Sequence, residues 1–375
     1  MIDAGPVAVA IAIEAALAAD AFPGGVLVAA DQGTIVLRRA FGQRARPPYP
    51  GAGAAVTLDT VYDAASVTKA AATMTVLLRL AAAGKLDLDA PAQRWLPELT
   101  QPGADAIRVW HMCAHAAGFI WWLPFFERIA QGDRDAVLRQ LGQAALERPP
   151  GSGSVYSDLS FISLGFLCER AGGARLDALH RTLVTAPLGL EASLGFRPLG
   201  ETASMDGDGS GAVIAPTEHC PRRGLLVGEV HDDNAHRMGG VAGHAGLFAR
   251  AEALVELGLA LAAAHEGAAS LFDRALVRRC FAPAGVPGST WRIGWDGPAP
   301  VVPGATTPSS QVGDRVARSA VMHLGFTGCS WVIDPPRGRV IALLTNRVHP
   351  TRETQIYREH RPRIHDAVIA ALDGG

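Results

Sequence analysis

Cysteine is sparse in this 375-residue chain and shows no paired spacing. Cys113, Cys168, Cys220, Cys280 and Cys329 lie far apart, are odd in number and form no CxxC. That pattern argues against a disulfide framework or a zinc knuckle; the cysteines read as small buried hydrophobes of a soluble, reducing, cytoplasmic setting. An excess of charge of one sign is also missing. Lys plus Arg number 34 against 36 Asp plus Glu, a formal net charge of -2, which excludes a surface built mainly to grip nucleic acid or anionic lipid. No apolar run reaches the roughly 18–20 residues of a membrane span. The apolar N-terminal stretch has no basic region before it and is interrupted by Glu14, so it reads as a short helix rather than a signal peptide. Charged residues are only 19% and hydrophobic ones 49%. Such a chain is not disordered, and it can bury a core of one large or two modest domains.

Glycine (42) and proline (25) are abundant and predict many tight turns and loops. The alanine-rich segment 7–19 suits a helix. Two apolar runs, 26–30 and 35–37, flank Asp31-Gln32-Gly33 and read as a hairpin. Residues 67–83 carry the clearest helical period, with Gly84 as a stop. Further helices are expected at 108–115, 133–147, 158–171, 174–185, 250–265, 270–279 and 364–372. The stretch 193–246 is glycine-rich and poorly periodic. Cys329–Asp334 and Val340–Thr345 read as a second strand pair around a turn. The simplest architecture is α+β: an antiparallel sheet shared by the two ends of the chain and flanked by helices, with an all-α lobe inserted. The expected bounds are 1–75 and 240–375 for the sheet domain, 76–200 for the helical lobe and 200–240 for a loop-rich region near a site between the lobes.

The start of the strongest helix holds Ser66-Val67-Thr68-Lys69. Positions i and i+3 share a helical face, so the lysine amine can approach the serine hydroxyl. A serine needs such a base to become a nucleophile. The helix start adds N–H groups and positive dipole character beside a developing anion. Ser-x-x-Lys alone also fits an N-cap serine beside a surface lysine.

Other motifs follow in order. Residues 60–69 (TVYDAASVTK), 107–119 (IRVWHMCAHAAGF), Pro149-Pro150-Gly151 with Val155-Tyr156-Ser157-Asp158, the glycine-rich run 239–248 (GGVAGHAGLF) and His323-Leu324-Gly325-Phe326-Thr327-Gly328 together resemble the boxes of the serine beta-lactamase-related superfamily. That group includes class C beta-lactamases, penicillin-binding proteins, D-stereospecific peptidases and family VIII carboxylesterase-like serine hydrolases. The resemblance implies a beta-lactamase/transpeptidase-like fold with Ser66 as acyl acceptor and Lys69 as proton acceptor or its partner. Tyr156 is then a proton shuttle, its phenolate favoured by Lys69. It also implies an oxyanion hole made by the backbone N–H groups of Ser66 and Phe326, a close substrate approach at Gly325, and a site-lining His323 able to change charge near neutrality. Asp158 stands where asparagine is usual and would hold Lys69 protonated; the alternative is a helix cap. Leu324 replaces a threonine hydroxyl that could help bind a substrate carboxylate.

Trp121, Trp122, Phe125 and Phe126 either line an apolar pocket or pack the helical lobe. His244 braces a loop or touches substrate. His111 and His115, four apart, could be read as a metal pair with His231, Asp232, Asp233 or His244 as third ligand; no metal and no cofactor are expected. Arg347, at a strand end, reads as a structural ion pair or as a group that attracts an acid. The expected function is a serine hydrolase that cleaves small carboxylic esters through an acyl-enzyme, with weak beta-lactamase activity possible. The alternatives are a D-amino-acid peptidase or D-Ala-D-Ala carboxypeptidase, a biosynthetic acyltransferase, and a catalytically silent binding protein. The expected partner is a small-molecule ester or amide, with no nucleic acid and no membrane span; oligomeric state is left open.

Overall fold

The computed structural model describes residues 7–200, 213–304 and 308–374. Of the loop-rich stretch expected at 200–240, residues 201–212 lie outside the described residues. The strands in chain order are β1 (Gly24–Asp31), β2 (Thr34–Gly42), β3 (Tyr62–Asp63), β4 (Leu194–Phe196), β5 (His219–Cys220), β6 (Gly224–Leu225), β7 (Leu247–Ala249), β8 (Val321–Leu324), β9 (Ser330–Asp334) and β10 (Arg339–Thr345). β1 and β2 are joined by a two-residue turn, Gln32-Gly33, with both φ angles positive. That is the turn whose twist matches paired strands.

The two ends of the chain meet in one antiparallel sheet of order β2-β1-β10-β9-β8. β1 pairs with β10 from Gly25↔Thr345 to Ala30↔Val340. Its near-continuous apolar run buries both faces. Val26, Val28 and Ala30 join Trp331, Ile333, Val340, Ala342 and Leu344 on the side of the main helical core. Leu27 and Ala29 join Ile341, Leu343 and Val332 against the first helix (Val7–Ala18) and the last (Tyr357–Leu372). A small sheet β3-β7-β4 sits beside the nucleophile segment. The fold is α+β, with helices on both sides of an antiparallel sheet. Among the described residues, no helix is long and apolar enough to cross a membrane. All five cysteines are buried and unpaired.

Some elements differ from the periodicity. The helix expected over 67–83 is interrupted by a π-helical stretch over Lys69–Met74 and runs as a regular α-helix over Thr75–Ala82. The Thr75 hydroxyl donates to the carbonyls of Ala71 and Ala72, which competes with the regular ladder. The last helix starts at Tyr357, seven positions before Ile364, and runs through Pro362. Pro362 removes one backbone donor in the second turn without ending the helix. Within 193–246 lie short strands and the helical turn Asp233–Arg237, too brief to show a period.

Three buried histidines set an acid limit on stability. Burial lowers His180 to about 4, and burial with nearby positive charge lowers His323 and His365 to about 3. The unfolded chain takes up these protons near pH 6.5, roughly the free-histidine value. Their contribution is therefore fully present above that pH and is lost as pH falls toward the folded values. Urea unfolding at about pH 7 and pH 5 should show a clear loss at the lower pH, with a slope on the order of 1.4 kcal/mol per pH unit per histidine. Equal stability at both would contradict neutral buried histidines.

Candidate active site

Ser66 sits in a tight turn between β3 and the π-helical segment. Ala65 just before it has φ +47, a left-handed conformation costly for a residue with a Cβ. Asp63 stabilises that turn. One of its carboxylate oxygens accepts from the Ala65 N–H at 2.8 Å and the other from the His231 N–H at 2.7 Å. Its carbonyl accepts from the Thr327 hydroxyl at 2.7 Å. One buried residue thus ties the nucleophile turn, the 231 loop and the turn after β8 together.

The Ser66 hydroxyl lies between two donors, Lys69 Nζ at 2.9 Å and Tyr156 OH at 2.8 Å. Lys69 is fully buried. Its Nζ also meets Asp158 Oδ1 at 2.7 Å and the His244 carbonyl at 3.1 Å, and lies 4.9 Å from the centre of the Tyr156 ring. Burial pushes Lys69 down, but Asp158 and Tyr156 outweigh it, and its pKa ends above the ordinary lysine value. Asp158 is the first residue of the helix Asp158–Gly172. The cap itself is Ser157, whose hydroxyl accepts from the Ser160 N–H, so the Asp158 carboxylate is left for Lys69. The His244 carbonyl reaches Lys69 because Gly243 and Gly165 pack backbone to backbone. A Cβ on Gly243 would stand 2.0 Å from the Phe161 carbonyl oxygen.

The electrostatics correct two expectations. Tyr156 is 37% exposed at the pocket, but its hydroxyl end is enclosed, and desolvation there with the Asp158 charge outweighs Lys69 and raises the phenol above its ordinary value, which favours a phenol over a phenolate. His323 is buried, and burial plus the Lys69 charge hold it down to about 3, so it does not change charge near neutrality. Its Nδ1 lies 3.1 Å from the Leu324 carbonyl. His115 is likewise held neutral by burial and by Lys69. Its Nδ1 accepts from the Ser157 N–H at 3.0 Å, and its ring packs 4.7 Å from Tyr156 and 4.3 Å from Trp291.

Ser66, Tyr156, Asp158, Gly325 and Phe326 line one pocket of about 530 Å³, together with Trp121, Trp122, Leu324, Arg347, Arg352, Arg358 and Arg361. Gly325 lets the turn after β8 close on the nucleophile turn, for a Cβ there would lie 2.5 Å from the Ala64 carbonyl. Among the described residues, the N–H groups of Ser66 and Phe326 have no acceptor. Trp121 is 59% exposed at the mouth and stacks on Trp122. Phe125 is not in the pocket; it is fully buried in the main core. His244 is also buried away from the lining, with Nε2 2.8 Å from Asp232 Oδ1.

Among the described residues, Asp158, Asp232 and His244 offer ligand atoms within 4.8 Å of one another. The Lys69 ammonium stands against that group through Asp158. His111 and His115 each spend Nδ1 on a backbone N–H, that of Arg108 and that of Ser157. Arg347 forms no ion pair among the described residues. It donates to the carbonyls of Phe326, Arg352 and Thr354, and its guanidinium lies 4.5 Å from the centre of the Phe326 ring.

A nucleophile turn, a lysine three residues on and a tyrosine from the helical side, set on an antiparallel sheet, define the class of beta-lactamase-fold serine hydrolases. A family model described as Beta-lactamase matches residues 9–363, and the chain belongs to that family. It is 32% identical over 354 residues to an N-acetylmuramyl-L-alanine amidase of Bacillus subtilis (strain 168), covering 88% of this chain and 78% of the relative. It is 31% identical over 342 residues to a putative D-alanyl-D-alanine carboxypeptidase of Escherichia coli (strain K12), covering 84% and 76%. Among solved structures it resembles EstCE1, a hydrolase with promiscuous acyltransferase activity, with TM-score 0.74, 21% identity and 97% and 98% of the two chains covered. A penicillin-binding protein homologue from Caulobacter crescentus has TM-score 0.71 at 22% identity, covering 97% of each chain.

Asp63 was not legible as a site residue, because beyond its bond to Ala65 its role lies in contacts with segments more than a hundred residues away. Asp63→Ala leaves two N–H groups without acceptors, at about 1–3 kcal/mol each if buried. We expect a lower urea midpoint, and at temperatures where the variant stays folded, a more than tenfold slower modification of Ser66 by a fluorophosphonate. Wild-type labelling in a folded variant would remove Asp63 from the site.

Proposed function

We propose that the protein is a serine hydrolase that cleaves small carboxylic esters through an acyl-enzyme on Ser66. The observation that carries this reading is the Ser66 hydroxyl held between Lys69 Nζ at 2.9 Å and Tyr156 OH at 2.8 Å. In the resting site Lys69 is an ammonium, Tyr156 a phenol and Asp158 the nearby carboxylate. As Ser66 Oγ bonds to the substrate carbonyl carbon, its proton passes to Lys69 Nζ while another Nζ proton passes to Asp158 Oδ1. The carbonyl oxygen, now negative, is met by the N–H groups of Ser66 and Phe326, each worth roughly 3 kcal/mol when aimed at such an anion. On collapse Tyr156 protonates the departing oxygen and recovers its proton from Asp158 through Lys69. Water then enters and reverses the sequence to release the acid.

A second reading, cleavage of an amide such as a D-alanyl peptide bond, is favoured by the names of the relatives about 30% identical. In that case Tyr156 protonates a leaving nitrogen, and the rest of the scheme is unchanged. A p-nitrophenyl butyrate assay, a chromogenic cephalosporin and a diacetyl-lysyl-D-Ala-D-Ala peptide separate the two by relative kcat/KM.

Two outcomes are expected. Intact-mass analysis after fluorophosphonate treatment shows one adduct on the wild type and none on Ser66→Ala, whose ester turnover drops by more than about a thousandfold. Failure of every acylating reagent to label Ser66 would favour a silent scaffold. Asp158→Asn slows acylation at neutral pH by tenfold or more and gives a rate that climbs with pH, because the reaction then waits for Lys69 to lose its proton. A pH-independent rate in that variant would remove Asp158 as the acceptor.

A further inference from the structure

His231 lines the pocket and takes no part in the proton transfers above. It is only 5% exposed and is held on several sides. Its N–H donates to Asp63 at 2.7 Å, and its carbonyl accepts from Arg223 at 2.6 Å. Its Nε2 lies 2.9 Å from Glu218 Oε2. Burial raises Glu218, but His231 and Arg352 outweigh it and bring it down to about 2. An ionised carboxylate only accepts, so His231 Nε2 carries the proton and donates. Glu218 is in turn fixed by Arg352 Nε, which stands 2.9 and 2.8 Å from its two oxygens. The imidazole cannot turn without breaking a buried, charge-assisted bond.

This fixed ring meets a less supported one. Phe326 is 47% exposed. Its ring centre lies 5.7 Å from that of His231, with the planes 27° apart, within the range of attractive offset stacking. The turn that carries Phe326 is anchored at its far end, where the Gly328 carbonyl accepts from the hydroxyls of Thr345 and Tyr357. At the Phe326 end, Arg347 holds the carbonyl. That bond fixes the peptide after Phe326, whereas the N–H belongs to the peptide before it. The ring contact acts on the residue between the two. Asp63 closes a circuit through it. Its carboxylate holds the Ala65 and His231 N–H groups, the His231 ring meets Phe326, and Thr327 returns to the Asp63 carbonyl. We propose that His231 is a positioning residue whose ring, stacked on Phe326, sets the direction of the Phe326 N–H relative to that of Ser66. The inference rests on Ser66 being acylated in this pocket, and it names what aims the second donor at the developing anion. Such a donor is effective only if it is aimed before the charge appears. A turn free to rock therefore weakens the transition state far more than the bound substrate.

Two variants separate the ring from the Glu218 bond. His231→Gln keeps a donor for Glu218 and loses the flat ring. His231→Phe keeps a flat ring and loses the donor, leaving Glu218 to Arg352. Both retain the backbone N–H that Asp63 accepts. With p-nitrophenyl butyrate, His231→Gln should lower kcat by about tenfold or more with KM within about twofold, and His231→Phe should stay within about threefold of the wild type. The reverse order, equal losses in the two variants, or a loss confined to KM overturns the proposal. Phe326→Leu removes the same contact from the other side, so its loss and that of His231→Gln should not add in the double variant. Full additivity overturns the proposal as well. A measurement on Ser66→Ala needs no turnover. The order parameter of the Phe326 N–H from 15N relaxation should fall from about 0.85 to about 0.6 or less when His231→Gln is added, and should be kept with His231→Phe. An unchanged value in His231→Gln overturns the positioning role whatever the enzyme assays show. Fluorophosphonate labelling of wild-type Ser66 judges the hydrolase reading separately.

Discussion

A buried ammonium organises this molecule. Removing a lysine charge from water costs several kcal/mol even after the protein relaxes, and only well-placed partners offset it. Lys69 finds a carboxylate at 2.7 Å, a serine oxygen at 2.9 Å, a backbone carbonyl at 3.1 Å and an aromatic face at 4.9 Å. These come from the start of the helix at 158, the nucleophile turn, the glycine-rich run before β7 and the segment before that helix. Two stretches, 156–158 and the glycine-rich run, have no local reason to meet the nucleophile segment, yet all are drawn to one point. The glycines at 165 and 243 are part of the same requirement, since the His244 carbonyl reaches the ammonium only if the two backbones touch.

The charge also reaches outward. It contributes to keeping His115 and His323 neutral, because each would otherwise add a second cation to the same small volume. It draws Tyr156 toward ionisation, but burial and the Asp158 carboxylate act in the opposite direction and prevail. The expectation of a phenolate failed because it counted the lysine and left out the aspartate that the lysine itself requires. A cation and its counter-ion nearly cancel at a third group, so desolvation decides.

Much of the fold was legible. The hairpin at 24–42 announces itself through two apolar runs and a Gln-Gly turn, and the late pair β9 and β10 through theirs. Joining both into one sheet is the simplest architecture rather than a reading of periodicity, since no local signal says which strands pair. Ser66, Lys69, Tyr156 and Asp158 stand in recognisable boxes, and the structure brings them together. Phe125 could not be separated from Trp121 and Trp122 by composition: all are large aromatics after one turn, and only packing sends one inward. Asp63 and Arg361 were invisible for another reason. A buried carboxylate that accepts from two backbone N–H groups, or an arginine without an acid, is defined by partners that have no mark in the sequence.

Arg347 shows how one substructure links the two halves of the site. Its Nε holds the Phe326 carbonyl at 2.8 Å while its guanidinium covers the Phe326 ring, so it fixes the peptide next to the turn that carries the Phe326 N–H. On the other side it is crowded by Arg352, Arg358 and Arg361. Its own burial and their like charges lower Arg347, and the carbonyls of Phe326, Arg352 and Thr354 are what hold it beside that peptide.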